Sequence, residues 1–378
     1  MKVILLNSFS FPHGKATSNR LIIFAKELLK IQSFKEVSII GVDEKFSQNV
    51  IESIKFINIK HKKSEKFFFL RALNEILLSL KLWNRILKEK PDVLLISIPS
   101  FFLIFPLIFL SKNFYLIIDV RDVVWKYLKG SFYKRFASIF LKSLFSLSLK
   151  KSNLVSVTNQ KEFDLISDSF AIKPLVINNG ISYEDFDLLS KIPLKEINKP
   201  NIISYIGNIG LAQDLDFFLH SISTYSNVEI NFIGDGNQLK ELKRISKKYK
   251  DIRVNFLGFV AKSELKNYFS KSDILFASIG ENFDSAVPTK IFEYIASGRL
   301  VLLGLPNGPA REIFEKFLGV EIFYPRDKDS FNQAFKKLIE KKFNEKMRLH
   351  NLNILKSDFI REISAKRLAE YIVKDYQK

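Results

Sequence analysis

The chain contains no cysteine, which excludes disulfides, zinc–thiolate centres and thiol nucleophiles. It has no Gly-x-Gly-x-x-Gly fingerprint, no P-loop and no short-period repeat. No RNA-binding module or aromatic–basic interleaving occurs, so nucleic acid is not an expected partner. The start, MKVILLNSFSF, runs into polar sequence without a cleavage site. It reads as a buried β-strand and not a signal peptide, and a cytoplasmic protein is expected. The longest charge-free stretch, Val93 to Ser111, is interrupted by Pro99 and Pro106. It reads as a strand (Val93–Ile98), a turn at Pro99-Ser100 and an apolar helix, not as a membrane span. Acidic residues are scarce in the first half: residues 1–151 hold 26 Lys/Arg against 11 Asp/Glu and carry +15 of the net +19. Such a surface calls for an anionic partner by charge alone: a membrane surface, a polyphosphate ligand or nucleic acid.

What is present is an alternation of short apolar runs and amphipathic helical runs. Strands are expected at Lys2–Asn7, Glu36–Gly41, Lys55–Ile59, Val93–Ile98, Tyr115–Val120, Leu154–Thr158 and Pro174–Ile177. After Lys199-Pro200 the pattern restarts at Ile202–Ile206, with further strands at Glu229–Ile233, Val254–Phe256, Ile274–Ala277 and Leu300–Leu303. Strand–helix alternation implies parallel sheets covered on both faces. The fold class is therefore α/β, with two doubly wound Rossmann-like domains facing across a cleft. The first spans 1–190, the second 200–355, with a boundary in the polar stretch Glu184–Pro200. A last helix, 360–376, is expected to pack back on the first domain. Each domain should place its ligand crevice at the carboxyl ends of its strands.

The most informative stretch is Asp284-Ser-Ala-Val-Pro-Thr-Lys-Ile-Phe-Glu-Tyr-Ile-Ala-Ser-Gly298. Pro288 and Thr289 read as the start of a short helix, and Gly298 as its stop. A helix this short needs something to pin it. Lys290 offers a cation in its first turn. Glu293, one turn on, can accept two hydroxyl hydrogen bonds, as from a ribose. Together they suggest a nucleotide or nucleotide-sugar ligand. The chain also places Gly207-Asn-Ile-Gly-Leu-Ala-Gln-Asp214, Gly234-Asp-Gly236 and Leu257-Gly-Phe-Val260 at successive strand ends. There the glycines allow close backbone approach to a phosphate, Asn208 and Gln213 offer amides, and backbone around Val260 can hold a base.

In the first half, His13 and Gly14 lie in a loop between the first strand and a helix, where Gly14 would approach a diphosphate. Arg121 and Asp122, with Asp119, leave a buried strand. They form either a salt-bridged corner or a polar cluster around the sugar or acceptor. Asn178-Asn-Gly180 reads as a turn. From Val123 to Lys161 there are eight basic residues and no acidic one. Phe132, Phe136, Phe140, Leu144 and Leu147 share one helical face, with Lys134, Arg135, Lys142 and Lys150 towards the other. The pattern is either a core helix with a solvated basic face or an interfacial amphipathic helix.

With these motifs in order, the chain resembles the retaining family-4 glycosyltransferases of the GT-B fold, over nearly its whole length. The closest look is to sugar transferases of bacterial surface-polysaccharide and O-antigen clusters. The residues that carry the resemblance are Asp119-Val-Arg-Asp122, Ile177-Asn-Asn-Gly180, Tyr205-Ile-Gly-Asn-Ile-Gly-Leu-Ala-Gln213, Phe232-Ile-Gly-Asp-Gly236, Leu257-Gly258, Ser272-Asp273 and Pro288-Thr-Lys-Ile-Phe-Glu-Tyr294. The resemblance implies transfer from a nucleotide-diphosphate sugar, UDP-linked, with no cofactor and no metal. The acceptor would be a saccharide or a polyprenyl-diphosphate-linked sugar, reached at the anionic inner face of the cytoplasmic membrane. It makes Glu293 the ribose acceptor, Lys290 a diphosphate contact and the Gly207, Asn208, Gln213 loop the wall facing the donor phosphates. Lys290, Asp122, Arg121 and His13 become the catalytic candidates. Ser285 stands where the family often has a first Glu, and Asn208 and Gln213 stand where many members carry Arg and Lys. A nucleotide-sugar 2-epimerase of related fold and a non-catalytic basic binder of nucleotide or RNA are the competing readings.

Overall fold

The computed structural model describes residues 1–11, 16–61, 68–98, 101–109, 113–121, 132–195 and 201–377. They form two compact units, Met1–Asn178 with Arg361–Lys378, and Asn179–Ile360. The first unit runs β1 (Lys2–Leu6), α1 (Ala16–Leu29), β2 (Glu36–Asp43), β3 (Ser47–Ile51), β4 (Ile54–Lys60), α2 (Phe68–Glu89), β5 (Val93–Ile98), β6 (Tyr115–Val120), α3 (Phe132–Lys150), β7 (Leu154–Val157), α4 (Gln160–Phe170) and β8 (Leu175–Val176). Its sheet has the order β3-β4-β2-β1-β5-β6-β7-β8. β3 pairs antiparallel with β4 and the other neighbours pair in parallel.

The second unit runs α5 (Tyr183–Ser190), β9 (Ile202–Ile206), α6 (Leu215–Ile222), β10 (Glu229–Ile233), α7 (Leu239–Ser246), β11 (Arg253–Gly258), α8 (Lys262–Lys271), β12 (Ile274–Ser278), α9 (Lys290–Ala296), β13 (Leu300–Gly304), α10 (Pro309–Phe314), β14 (Val320–Phe323), α11 (Lys328–Ile339) and α12 (Glu345–Asp358). Its sheet is parallel throughout, in the order β11-β10-β9-β12-β13-β14. The chain then enters α13 (Arg361–Tyr376), which belongs to the first unit. There Ala365, Leu368, Ala369 and Ile372 share a core with Leu21, Phe24 and Leu28 of α1.

The central strands are almost wholly apolar because both faces are covered: β5, β12 and β13 are buried at every position. In each sheet the order reverses beside the first strand, at β1/β5 and at β9/β12. Those are the topological switch points, where ligand crevices form in doubly wound sheets.

Several details differ from the sequence reading, β14 among them, which it did not include. β3 was not anticipated, because it is polar and mostly exposed, and it turns into β4 through Glu52 and Ser53 at φ 48° and 64° without an Asn-Gly signal. The units divide at Asn178–Asn179, ahead of the polar stretch 184–200. Part of that stretch folds as α5, capped by Ser182 and buried through Leu189. The apolar run after β5 is a 3₁₀ turn over Phe101–Ile108 with Pro106 inside, not an α-helix, since a proline there removes a helical donor. Among the described residues no helix is long and apolar enough to cross a membrane.

Candidate functional site

The second unit assembles its candidate site from the loops that follow its strands. β9 and β12 pair through Ile203–Ile274 and Ser204–Leu275, and their ladder ends at Ser204. The backbone of Ile206, which has no β12 partner, is taken up by a side chain. The hydroxyl of Tyr294 accepts from Ile206 N–H and donates to Ile206 O, both at 2.9 Å. Tyr294 is wholly buried, and desolvation holds its phenol well above the ordinary tyrosine pKa. This bond pins the seven-residue α9 at the switch point, with Ile291, Phe292 and Ile295 packed into the core around it. The sequence reading expected Thr289 to cap α9, but Thr289 is already helical and makes no side-chain capping bond. Gly298 ends the segment at φ 68°, a left-handed position that suits glycine.

α9 therefore presents Lys290 and Glu293 together. Lys290 Nζ pairs with Glu293 Oε2 at 3.2 Å, and the side chains are 34% and 18% exposed. Both reach solvent while their helix is fixed. Ser285, in the segment leading to α9, is 3% exposed. Its buried position follows from that segment folding back at Ala286 N–H to Phe283 O, 3.0 Å.

The glycine loops are tied to one another. Gly207 N–H donates to Ile233 O at 2.9 Å, Ile209 N–H to Asp235 O at 2.8 Å and Gln238 N–H to Ile209 O at 3.0 Å. A Cβ on Gly234 would lie 1.9 Å from Gly207 O, and one on Gly236 would lie 2.1 Å from Ile209 O. These two glycines are thus required by the neighbouring loop, whatever they offer a ligand. Gly234 N–H continues the chain of contacts to Gly258 O at 2.7 Å. That places the Leu257–Val260 turn on the same rim, with Val260 packed against the core and Phe259 86% exposed. On the other side Gly280 N–H donates to Ala212 O at 2.8 Å, and Ser278 Oγ to Gln213 O at 2.5 Å.

The amides of Asn208 and Gln213 behave differently. Asn208 is exposed, and its backbone carbonyl accepts from Tyr205 Oη at 2.6 Å. Gln213 turns its Oε1 back onto Gly210 N–H at 3.1 Å, which closes the loop on itself. Asp214 follows at φ 44° and is held by Arg326, Nη2 to Oδ1 2.7 Å, across from the β14 end. Sequence reasoning missed this clasp, because 112 positions separate the partners. It also missed Tyr294, whose signal was present: a tyrosine among the apolar residues of a short helix needs a partner for its hydroxyl.

In the first unit Asp119 ends β6 fully buried. Its carboxylate accepts from Arg20 Nη2 at 3.2 Å, Ser156 Oγ at 2.8 Å and Ser97 Oγ at 3.1 Å. Burial pushes this carboxyl up, but Arg20, Arg121 and the hydrogen bonds outweigh it and hold it below the ordinary aspartate value. Arg20 goes on to Ile177 O at 3.0 Å. Asp119 is therefore the anchor of a salt-bridged corner, and Arg121, half-buried beside it, stands at its edge. Asp122, His13 and Gly14 lie outside the described residues. Gly180 is needed where the chain enters the second unit, since a Cβ there would lie 1.9 Å from Phe359 O.

On α3 the buried face is Phe145, Ser148 and Leu149, with Leu144 half-buried. Phe140 and Leu147, read as one stripe with Leu144, instead stay exposed together with Ile139, next to Lys142 and Lys150. The side chains of Phe132, Lys134, Arg135 and Phe136 lie outside the described ones. α2 likewise exposes Leu73, Leu77, Leu80 and Leu87.

Residues 190–352 match the family described as "Glycosyl transferases group 1". No curated protein matches the chain. Among solved structures it is similar to the sucrose-phosphate synthase of Thermosynechococcus elongatus, at TM-score 0.78 and 13% identity, covering 100% of this chain and 99% of that one. A structure titled "Trehalose-6-phosphate from E. coli bound with UDP-2-fluoro glucose" gives TM-score 0.73 and 11% identity, again with 100% and 99% covered. The lipopolysaccharide outer core galactosyltransferase WaaB gives TM-score 0.67 and 13% identity, with 98% and 99% covered. The chain thus has the GT-B fold from end to end, and within its second unit the match to the group 1 glycosyltransferase model covers residues 190–352.

Proposed function

We propose that this protein transfers a sugar from a nucleotide-diphosphate sugar, UDP-linked, to a saccharide acceptor. The observation that carries the reading is the Lys290–Glu293 pair, fixed by Tyr294 at the switch point of a group 1 glycosyltransferase domain. Glu293 takes the ribose hydroxyls of the donor. Lys290 takes the diphosphate and stabilises the charge that grows on it as the sugar leaves. Exposed Asn208 and the backbone of the Gly207 loop border the phosphates, and the turn at Val260 borders the base. Transfer proceeds with retention at the anomeric carbon, as in the family-4 enzymes the sequence resembles. The acceptor hydroxyl must come within about 3–3.5 Å of that carbon. Arg121, with Asp122 and His13, serves the sugar and acceptor. The leaving group relies on Lys290.

The acceptor side is lipid-linked, and the product belongs to a bacterial surface polysaccharide. Support comes from the first unit, where Ile139, Phe140 and Leu147 are exposed among lysines on α3 and leucines are exposed along α2. Apolar side chains rimmed by Lys suit an anionic membrane surface. The protein then works at the inner face of the cytoplasmic membrane, held by its first unit. A thermal-shift screen of nucleotide sugars identifies the donor, and product analysis with and without acceptor tests the reaction. Turnover only with acceptor supports transfer. Conversion of the donor alone makes the protein an epimerase, and no donor binding at all removes the site.

A further inference from the structure

The turn that leads from β14 into α11 carries an arginine where a glycine is expected. Asp327 N–H donates to Tyr324 O at 3.2 Å, so Tyr324-Pro-Arg-Asp327 closes a turn. Proline stands second in it, and the third residue, Arg326, has φ 58°. A turn with proline second and a positive φ third is one that glycine or asparagine ordinarily fills, because a larger side chain is strained there. The turn itself is well fixed. Pro325 is buried, Tyr324 N–H donates to Ser330 Oγ at 3.0 Å, and the guanidinium of Arg311 lies over the Tyr324 ring, 4.1 Å from its centroid.

From this position Arg326 reaches Asp214. Its Nε and Nη2 both donate to Asp214 Oδ1, at 3.1 and 2.7 Å. Asp214 is left-handed too, at φ 44°, and stands at the N-cap of α6 without a side-chain capping bond. An aspartate there ordinarily caps its helix. This one gives its carboxylate, only 9% exposed, to Arg326. Two left-handed residues other than glycine thus face each other through one ion pair. Such conformations persist where the surroundings over-determine them, and they gather at functional sites. What the pair holds is the far end of the Gly207–Gln213 loop. The near end is tied through Tyr205 Oη to Asn208 O at 2.6 Å. The far end is tied through Ser278 Oγ to Gln213 O at 2.5 Å and, one residue on, through Asp214 to Arg326. The loop contains no Lys or Arg, so it meets a diphosphate with backbone N–H groups and the Asn208 amide. A lysine follows its ligand by rotating; a backbone N–H stabilises charge only when it is already aimed.

We propose that Arg326 is a positioning residue which, through Asp214, sets the Gly207–Gln213 loop for the diphosphate of the donor. The strained turn keeps an arginine because its side chain is needed at the loop. The proposal rests on the role given above to that loop. It adds that the aim of the loop is set from the end of β14, by a residue that does not itself touch the ligand.

The test is calorimetric titration of the intact chain, of Arg326→Gly, of Asp214→Gly and of the double variant. The probes are UDP, dTDP, ADP and GDP, with each parent nucleoside measured by displacement. Glycine suits both backbone positions, so the variants should keep the fold and the unfolding temperature, which scanning calorimetry checks. Diphosphate affinity should fall about tenfold in each single variant. It should fall no further in the double variant, because either change removes the same clasp. Nucleoside affinity should stay as it is. Asp214→Gly separates position from charge. Taking a carboxylate away near a diphosphate raises affinity if charge alone matters, and lowers it if the clasp sets the loop. If the unaltered chain binds none of the four diphosphates, the donor-site reading fails and this proposal with it. If it binds one, a rise with Asp214→Gly, an unchanged affinity with Arg326→Gly, or an equal loss of diphosphate and nucleoside overturns the role of Arg326 while the donor site stands.

Discussion

Replacing Tyr294 by Phe isolates the bond that seats α9. The ring and its edge-on contact with Phe269, centroids 5.9 Å apart, are kept. Only the hydroxyl is lost, and with it the partners of both Ile206 N–H and Ile206 O. β12 does not pair with β9 at this level, and Tyr294 is wholly buried, so neither group finds a ready substitute. A buried backbone group without a partner costs about 1–3 kcal/mol. Relaxation of the unpaired strand end favours the lower half of that range, giving about 2–4 kcal/mol for the two. For a unit of this size that corresponds to a fall in its unfolding temperature of about 5–15 °C. The matched control is Tyr225→Phe, which gives up one half-buried bond to Asn332 at 3.1 Å and should cost about 1 kcal/mol. Differential scanning calorimetry of the full chain reads both, following the transition of the second unit. Donor affinity should fall with Tyr294→Phe, since Gly207 follows Ile206 directly. If Tyr294→Phe costs no more than Tyr225→Phe, Ile206 is satisfied in another way and α9 is held by apolar packing alone.

Four further outcomes are expected. Glu293→Ala should weaken nucleotide-sugar binding by roughly 1.5–3 kcal/mol with the fold intact, and unchanged affinity in calorimetry would remove Glu293 from the site. Lys290→Ala should lower kcat more than it raises KM, because leaving-group charge grows in the transition state; a rise in KM alone would make Lys290 a ground-state anchor. Activity should survive EDTA, and a loss restored by Mg²⁺ or Mn²⁺ would overturn the reliance on Lys290. Liposome flotation should show binding that needs anionic lipid, falls with salt and weakens when Lys134, Arg135 and Lys142 become Glu. Equal binding to neutral vesicles would assign the basic face another task.

The sequence by itself determined the parallel α/β character, because strands buried on both faces must be continuous apolar runs and helices between them must be amphipathic. Val93–Ile98, Tyr115–Val120, Ile202–Ile206 and Glu229–Ile233 were legible to the residue for that reason. The order of glycine turns and the Pro288–Tyr294 stretch were legible too, since φ, capping and helix length are local matters. Tertiary structure alone decided what those local signals serve. It showed that Gly234 and Gly236 make room for a neighbouring loop, that Thr289 does not cap, and that Tyr294 closes the gap between β9 and β12. It split the Phe/Leu stripe of α3 between core and solvent, because a helix face is defined by what packs on it and not by spacing alone. Arg20 with Asp119, Arg326 with Asp214 and Lys262 with Asp185 are each joined across many positions of sequence. Side-chain periodicity reports only neighbours a turn or two away. Pairings between distant strand ends are set by sheet order, and sheet order is fixed only when the whole chain has folded.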